Sequence, residues 1–142
     1  MPNVKPIPEG YRTVTPYFVV PDLQRFLSFV ERAFGGTVTY LASDHTHAEV
    51  KIGDSMIMAG QEKGDHKAQP ISIYLYVEDC DAWYRRAMEA GATSTMEPAN
   101  QFYGDRNGGV RDDWGNNWWI GTHVEDVPHE ELERRAKERA TG

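Results

Sequence analysis

Cysteine is almost missing from this chain of 142 residues, with Cys80 standing alone. One thiol excludes an intrachain disulfide and a zinc site built from several cysteines, and leaves Cys80 to be read as a small buried hydrophobe. Long apolar runs are missing too: no stretch approaches the roughly 18–20 residues that cross a bilayer as a helix. The N-terminal Met-Pro-Asn-Val-Lys-Pro lacks the apolar core of a signal peptide, so the expected setting is the cytoplasm, away from membranes. Positive charge is scarce, the formal net charge being −7. A phosphate-binding surface needs a local excess of Lys and Arg, which excludes nucleic acid as the expected partner. The basic residues alternate with acids, most densely from Glu130 to Arg139. There Glu130/Arg134, Glu131/Arg135 and Glu133/Lys137 are spaced as i,i+4 pairs on a solvated helix face. No Ser-His-Asp or Cys-His order stands out, and no phosphate-binding glycine motif ending in Gly-Lys-Ser/Thr is present.

What is present gathers in residues 101–119, QFYGDRNGGVRDDWGNNWW. Gly104-Asp105 and Gly108-Gly109 read as chain reversals needing positive φ, and Asp113-Trp114-Gly115-Asn116 as a tight turn. The flanks Gly109-Val110-Arg111 and Asn117-Trp118-Trp119-Ile120 become hairpin arms, with large rings and charges interleaved. Such a hairpin is either a packed edge with a solvated rim or the wall of a pocket.

Upstream, three prolines and a glycine make residues 1–12 an irregular lead-in. Val14 to Val20 is β-branched and aromatic, a first strand with Pro16 marking an edge or an irregular start. Asp22 is placed as an N-cap, and Leu23, Phe26, Leu27, Val30 and Phe34 recur at helical spacing until Gly35-Gly36. Thr37 to Leu41 is a second strand. His47 to Ile52 alternates polar and apolar, then Gly53-Asp54 turns it into Ser55 to Ala59. That register puts Ala48, Val50, Ile52 and Ile57 on one face and His47, Glu49, Lys51, Met56 and Met58 on the other. Residues 60–70 read as a flexible connector. Ile71 to Val77 is again an alternating strand, and Asp79 or Asp81 can cap a helix through Ala90, ended by Gly91. After His123, Asp126 is the expected cap and Pro128 the first turn of a charged helix to about Ala140, with Leu132, Ala136 and Ala140 as a thin apolar stripe.

With Asp22 laid on Asp79, Tyr17 meets Tyr74, Val20 meets Val77, Phe26 meets Trp83 and Ala33 meets Ala90. The turns Gly53-Asp54 and Gly115-Asn116 align after a short insertion. This is the trace of a duplicated unit. The fold expected is α+β: two duplicated β-α-β-β-β units, about 11–60 and about 70–124, forming one curved mixed sheet around a cleft, with helices on the outer face. A C-terminal helix, about 127–140, completes a single domain.

That order resembles the vicinal-oxygen-chelate superfamily of glyoxalase I, extradiol dioxygenases and bleomycin- and fosfomycin-resistance proteins. Val14 to Tyr17, His47 to Ser55, Tyr76 to Asp79, Phe102 to Arg106 and Gly108 to Asp112 are similar to the small glyoxalase-like proteins named after the phosphonate-utilisation operon. In metal-dependent members, the resemblance implies a divalent ion held by His and Glu from equivalent strands of both halves. The corresponding positions fall on Thr15, Ser72, Trp119, and Ile57 or Met58. None is an imidazole or carboxylate, so no metal and no other cofactor is expected. The resemblance also implies a homodimer whose partner subunit completes the cleft.

Alternation sends Thr15, Tyr17, Ser72, Tyr74, Tyr76 and Trp119 into that cleft, with Phe102 and Tyr103 beside them. The cleft either takes a flat or apolar small molecule by stacking, or is filled by its own rings. His47 and Glu49, two apart on a strand, share a face, as an acid/base pair, an unusual metal site, or a polar lining with Lys51. Asp105, Arg106, Arg111 and Asp112 either anchor an anionic or hydroxylated ligand or pair with one another. The leading expectation is a metal-independent binder; the alternative is a lyase, isomerase or oxygenase using His47 and Glu49.

Overall fold

A computed structural model describes residues 3–141. The chain divides at Ile71/Ser72 into two units, each a sheet with a helix against it. In the first, the order is β1 (Tyr17–Val20), α1 (Leu23–Phe34), β2 (Thr37–Leu41), β3 (His47–Ile52) and β4 (Ser55–Gln61). In the second it is β5 (Ser72–Tyr76), α2 (Cys80–Glu89), β6 (Thr93–Asn100), β7 (Asp105–Arg111) and β8 (Asn117–His123), followed by α3 (His129–Thr141). The two four-stranded sheets have the orders β1-β4-β3-β2 and β5-β8-β7-β6, which are the same order twice. In each, the first strand pairs in parallel with the last and the other pairs are antiparallel. The duplicated β-α-β-β-β order is therefore present, as one sheet per unit.

Local chemistry explains the elements. The Asp22 side chain accepts from Arg25 N and caps α1, while Gly35 at φ 65 ends it. The apolar stripe of α1 is buried, as are Phe18 and Val20 of β1, Ala48, Val50 and Ile52 of β3, and Ile57 and Ala59 of β4. Asp79, not Asp81, caps α2 by accepting from Ala82 N; Asp81 is held elsewhere by Arg106. The core of the second unit is smaller and turns on Trp118, Ile120, Val110, Cys80 and Ala87. Cys80 is buried as its composition suggested.

Several boundaries differ from the sequence reading. β1 begins only after Pro16, which has no N–H to give a ladder, although its carbonyl accepts from Met58 N. The stretch read as a flexible connector is tied down: β4 runs on to Gln61, Lys63 bridges His66, and Gln69 bridges Val19. Gly104 does reverse the chain at φ 99, but Gly108 and Gly109 lie inside β7 with no positive φ. Their reason is space: a Cβ on Gly109 would stand 2.9 Å from the Trp119 ring, and one on Gly108 3.0 Å from Met96 O. Asp126 does not cap α3, because its carboxylate is on His123; instead Leu132 N reaches Pro128 O. Of the expected pairs, Glu131/Arg135 forms, whereas Arg134 is held by Glu131 and Glu138. α3 docks by charge rather than by its apolar stripe: Arg135 binds Glu125 and donates to Phe102 O, and Arg139 lies 4.7 Å over the Phe102 ring. No helix among the described residues is long and apolar enough to cross a membrane.

Candidate functional site

One device is built into both units, on the sheet face turned away from the helix. Tyr17 on β1 pairs with Met58, and Tyr74 on β5 pairs with Trp119. Each tyrosine ring lies against a glycine two residues further along the partner strand. A Cβ on Gly60 would meet Tyr17 Oη at 2.7 Å, and one on Gly121 would meet Tyr74 Cε1 at 2.9 Å as well as its hydroxyl. Each hydroxyl then meets a polar side chain across from that glycine. His47 is the cross-strand partner of Gly60 and Asn107 of Gly121. Tyr17 Oη stands 3.3 Å from His47 Nδ1, and Asn107 Nδ2 donates to Tyr74 Oη at 2.9 Å.

The second unit extends this into a network. Asp105, 3 % exposed at the start of β7, accepts from Tyr74 Oη at 2.7 Å and Tyr76 Oη at 2.8 Å through one oxygen. Its other oxygen meets His123 Nδ1 at 2.9 Å, and His123 Nε2 meets Asp126 at 2.7 Å. Asn107 also donates to Tyr103 Oη at 2.6 Å, while its own Oδ1 is buried with no hydrogen-bond partner among the described residues. Burial works to raise the Asp105 carboxyl, but hydrogen bonds from His123, Tyr74 and Tyr76 outweigh it and hold it below the usual carboxylate range. His123 is raised by its bonds to Asp105 and Asp126. Tyr74 is raised by burial and by Asp105, and Tyr76 first by its bond to Asp105, so both phenols stay protonated. Tyr74 and Tyr76 lie with ring centroids 4.9 Å apart. With Trp119 they form a ring-rich face whose hydroxyls are already spoken for.

The first unit carries titratable groups instead. His47 Nε2 lies 3.6 Å from Glu49, whose other oxygen accepts a hydrogen bond from Tyr11 Oη. Burial and the Glu49 carboxylate push the Tyr11 phenol up to about 12. His66 stacks edge-on against Tyr17 with centroids 5.9 Å apart, and Tyr40 lies 6.4 Å from the His47 ring.

The structure thus brings Tyr17, His47, Glu49 and Met58 together in one unit, and Tyr74, Tyr76, Tyr103 and Trp119 in the other. Ser72 stands at the exposed start of β5. Thr15 lies outside β1, half-buried, with its hydroxyl on Arg12 O at 3.4 Å. Phe102 serves α3. Arg106 turns to the helix side of its sheet, where its guanidinium forks onto Asp81 at 2.8 and 3.0 Å and draws that carboxyl down to about 2. Asp112 likewise serves its own loop, accepting from Trp114 N, Asn116 N and Nδ2, and Trp118 Nε1. Tyr11, His66, Asn107 and His123 escaped the sequence reading as site residues. Once β7 is known to start at Asp105, alternation alone puts Asp105 and Asn107 on the face of Tyr74; no periodic signal marks Tyr11, which arrives from the irregular lead-in.

The pairing of Tyr17 with Met58 and of Tyr74 with Trp119 makes Met58, rather than Ile57, the counterpart of Trp119. Two hydroxyls, a thioether and an indole do not fit a hard divalent ion. Among the described residues no group of three or more His, Cys, Asp or Glu side chains is arranged to hold a metal.

A protein of Mycobacterium bovis known as an uncharacterized protein is 28% identical, the match spanning 99% of this chain and 98% of that one. Among solved structures, TioX from Micromonospora sp. ML1 superposes with a TM-score of 0.71 at 20% identity, over 80% of this chain and 99% of that one. A lactoylglutathione lyase from Agrobacterium tumefaciens gives 0.64 at 19% identity, over 83% and 96%. These structures share the fold. Residues 13–120 match the Glyoxalase/Bleomycin resistance protein/Dioxygenase superfamily, and the chain belongs to it.

Proposed function

We propose that this protein binds a flat, partly aromatic or apolar small molecule on the ring face of its second unit, without a resident divalent metal. The observation that carries the reading is the anchoring of the Tyr74, Tyr76 and Tyr103 hydroxyls by Asp105 and Asn107. A tyrosine whose hydroxyl is already satisfied presents a fixed ring and loses little side-chain freedom when something stacks on it. The buried, unpartnered Asn107 Oδ1 fits this reading, since an orphan acceptor costs about 1–3 kcal/mol and is retained where order is needed for another purpose. The chemistry of Thr15, Met58, Ser72 and Trp119 supports the metal-free part. Membership of the phosphonate-operon subgroup and a homodimer belong to the same proposal, the latter checked by light scattering.

Saturable quenching of tryptophan emission by a planar probe such as 1-naphthol, weakened at least tenfold in Tyr76→Ala and Trp119→Ala, is the expected result. Equal binding by wild type and both variants would sink the reading. A stoichiometric divalent ion in protein purified without chelator would overturn its metal-free part.

A second reading, an acid/base enzyme of lyase, isomerase or oxygenase type, is favoured by the chain Tyr17, His47, Glu49, Tyr11. It fails if His47→Ala and Glu49→Ala leave turnover of an identified substrate unchanged.

A further inference from the structure

The two tyrosines of the repeated device differ in where their protons can go. Tyr74 donates to the Asp105 carboxylate and receives from Asn107, an amide that cannot take a proton. Tyr17 faces an imidazole nitrogen. Glu49, beside His47 Nε2, favours the tautomer with hydrogen on Nε2, which leaves the Nδ1 lone pair directed at the Tyr17 hydroxyl. Glu49 is itself fixed by Tyr11. The Tyr17 residue is 40% exposed and so open to a reagent. A hydroxyl, a base within hydrogen-bond reach, and a carboxylate orienting that base are the parts of an activated nucleophile.

We infer that Tyr17 Oη is a base-assisted nucleophile that accepts acyl groups from uncharged activated esters, with His47 as proton acceptor and Glu49 as the positioning residue. The phenolic oxygen forms a bond to the acyl carbon, the bond from that carbon to the leaving alkoxide or phenolate breaks, and the phenolic proton passes to His47 Nδ1. Water then hydrolyses the tyrosyl ester, returning the acid and the free phenol. Glu49 beside the imidazole repels an anionic phosphoryl donor, which is why an uncharged acyl donor is the matching class. The inference uses the imidazole of the second reading above and goes beyond it in naming the reacting atom.

The test is p-nitrophenyl acetate with the full chain. The expected result is a burst of p-nitrophenolate, with the acetyl group found by peptide mass on Tyr17 and not on Tyr74. Tyr17→Phe keeps the ring and should abolish the burst. His47→Gln should slow it by roughly 10²-fold and remove the rise of its rate with pH, consistent with loss of a general base. Glu49→Gln should slow it less and keep the shape of the pH profile. A burst that survives Tyr17→Phe but not His47→Gln would show the imidazole itself to be the nucleophile, overturning this inference and leaving the second reading standing. A burst untouched by either change, or acetyl confined to lysines, would overturn this inference and leave the second reading to its own turnover test.

Discussion

The two units repeat one topology and stabilise it by opposite means. The first is an apolar core: Phe18, Phe26, Phe29, Val30 and Phe34 are buried around α1 and its sheet. The second buries fewer apolar side chains, and the four buried polar or charged ones among the described residues, Asp105, Asn107, Asp112 and Asn116, are its own. The hairpin loops show the same contrast. Gly53-Asp54 closes the first in two residues with Asp54 exposed, while the second needs residues 112–116 and closes on a buried carboxylate. Hydrophobic burial tolerates small shifts in geometry, whereas a buried carboxylate is stable only while every partner stays in place. The ring face proposed above to bind a ligand, which needs its rings in one orientation, gains from the second kind.

The largest difference is expected at those loops. Asp112→Ala strands four donors and should cost about 3 kcal/mol or more, against less than about 0.5 kcal/mol for Asp54→Ala, read as urea midpoints at constant slope. Equal losses would break the comparison. Next, Asp105→Asn removes charge-assisted bonds to His123, Tyr74 and Tyr76 and should cost about 2 kcal/mol, while Glu49→Gln should cost under about 1 kcal/mol. Thermal unfolding of the pair checks this.

A methyl at Gly121 meets a Tyr74 ring pinned at its hydroxyl by Asp105 and Asn107, whereas one at Gly60 meets a Tyr17 hydroxyl held by the longer 3.3 Å contact to His47 Nδ1. Gly121→Ala should therefore lose about 1–3 kcal/mol and Gly60→Ala less, the cost of overpacking depending on whether the neighbour can yield. If Gly60→Ala is the worse of the two, the first face is the more rigid. The smallest effect is that of pH. His123 is raised on folding, so its contribution is complete below its ordinary 6.5 and lost as pH rises through the folded value. Asp105 is lowered, so its contribution is complete above its ordinary 3.8 and lost as pH falls through the folded value. Stability from this network is fullest between those two ordinary values, and His123→Gln should flatten the upper limb of the pH profile.

Much of the fold was legible. Asp22 was readable as a cap, Asp79 as one of two candidates with Asp81, and the stripe of α1 as core, because capping and helical spacing are local. Alternation correctly grouped Tyr74 with Tyr76 and His47 with Glu49. The polar network was not legible, because Asp105 and Asn107 fell in a run read as turns. Gly108-Gly109 carries the same letters whether it reverses the chain or makes room for a ring and a neighbouring backbone. Arg106 could be placed among site candidates only until β7 had a register, which turns it toward Asp81.

By itself, the sequence determined what is local or periodic: the caps, the two-residue hairpin, the doubled order of elements, and the absence of imidazole or carboxylate at Thr15, Ser72 and Trp119. Only the tertiary structure decided which hydroxyl meets which partner. It set His47 against Tyr17 and Asn107 against Tyr74, because those contacts join strands that lie 30 or more residues apart in sequence. Their meeting depends on register and on glycines that let a ring lie flat. Spacing along a chain carries no record of either.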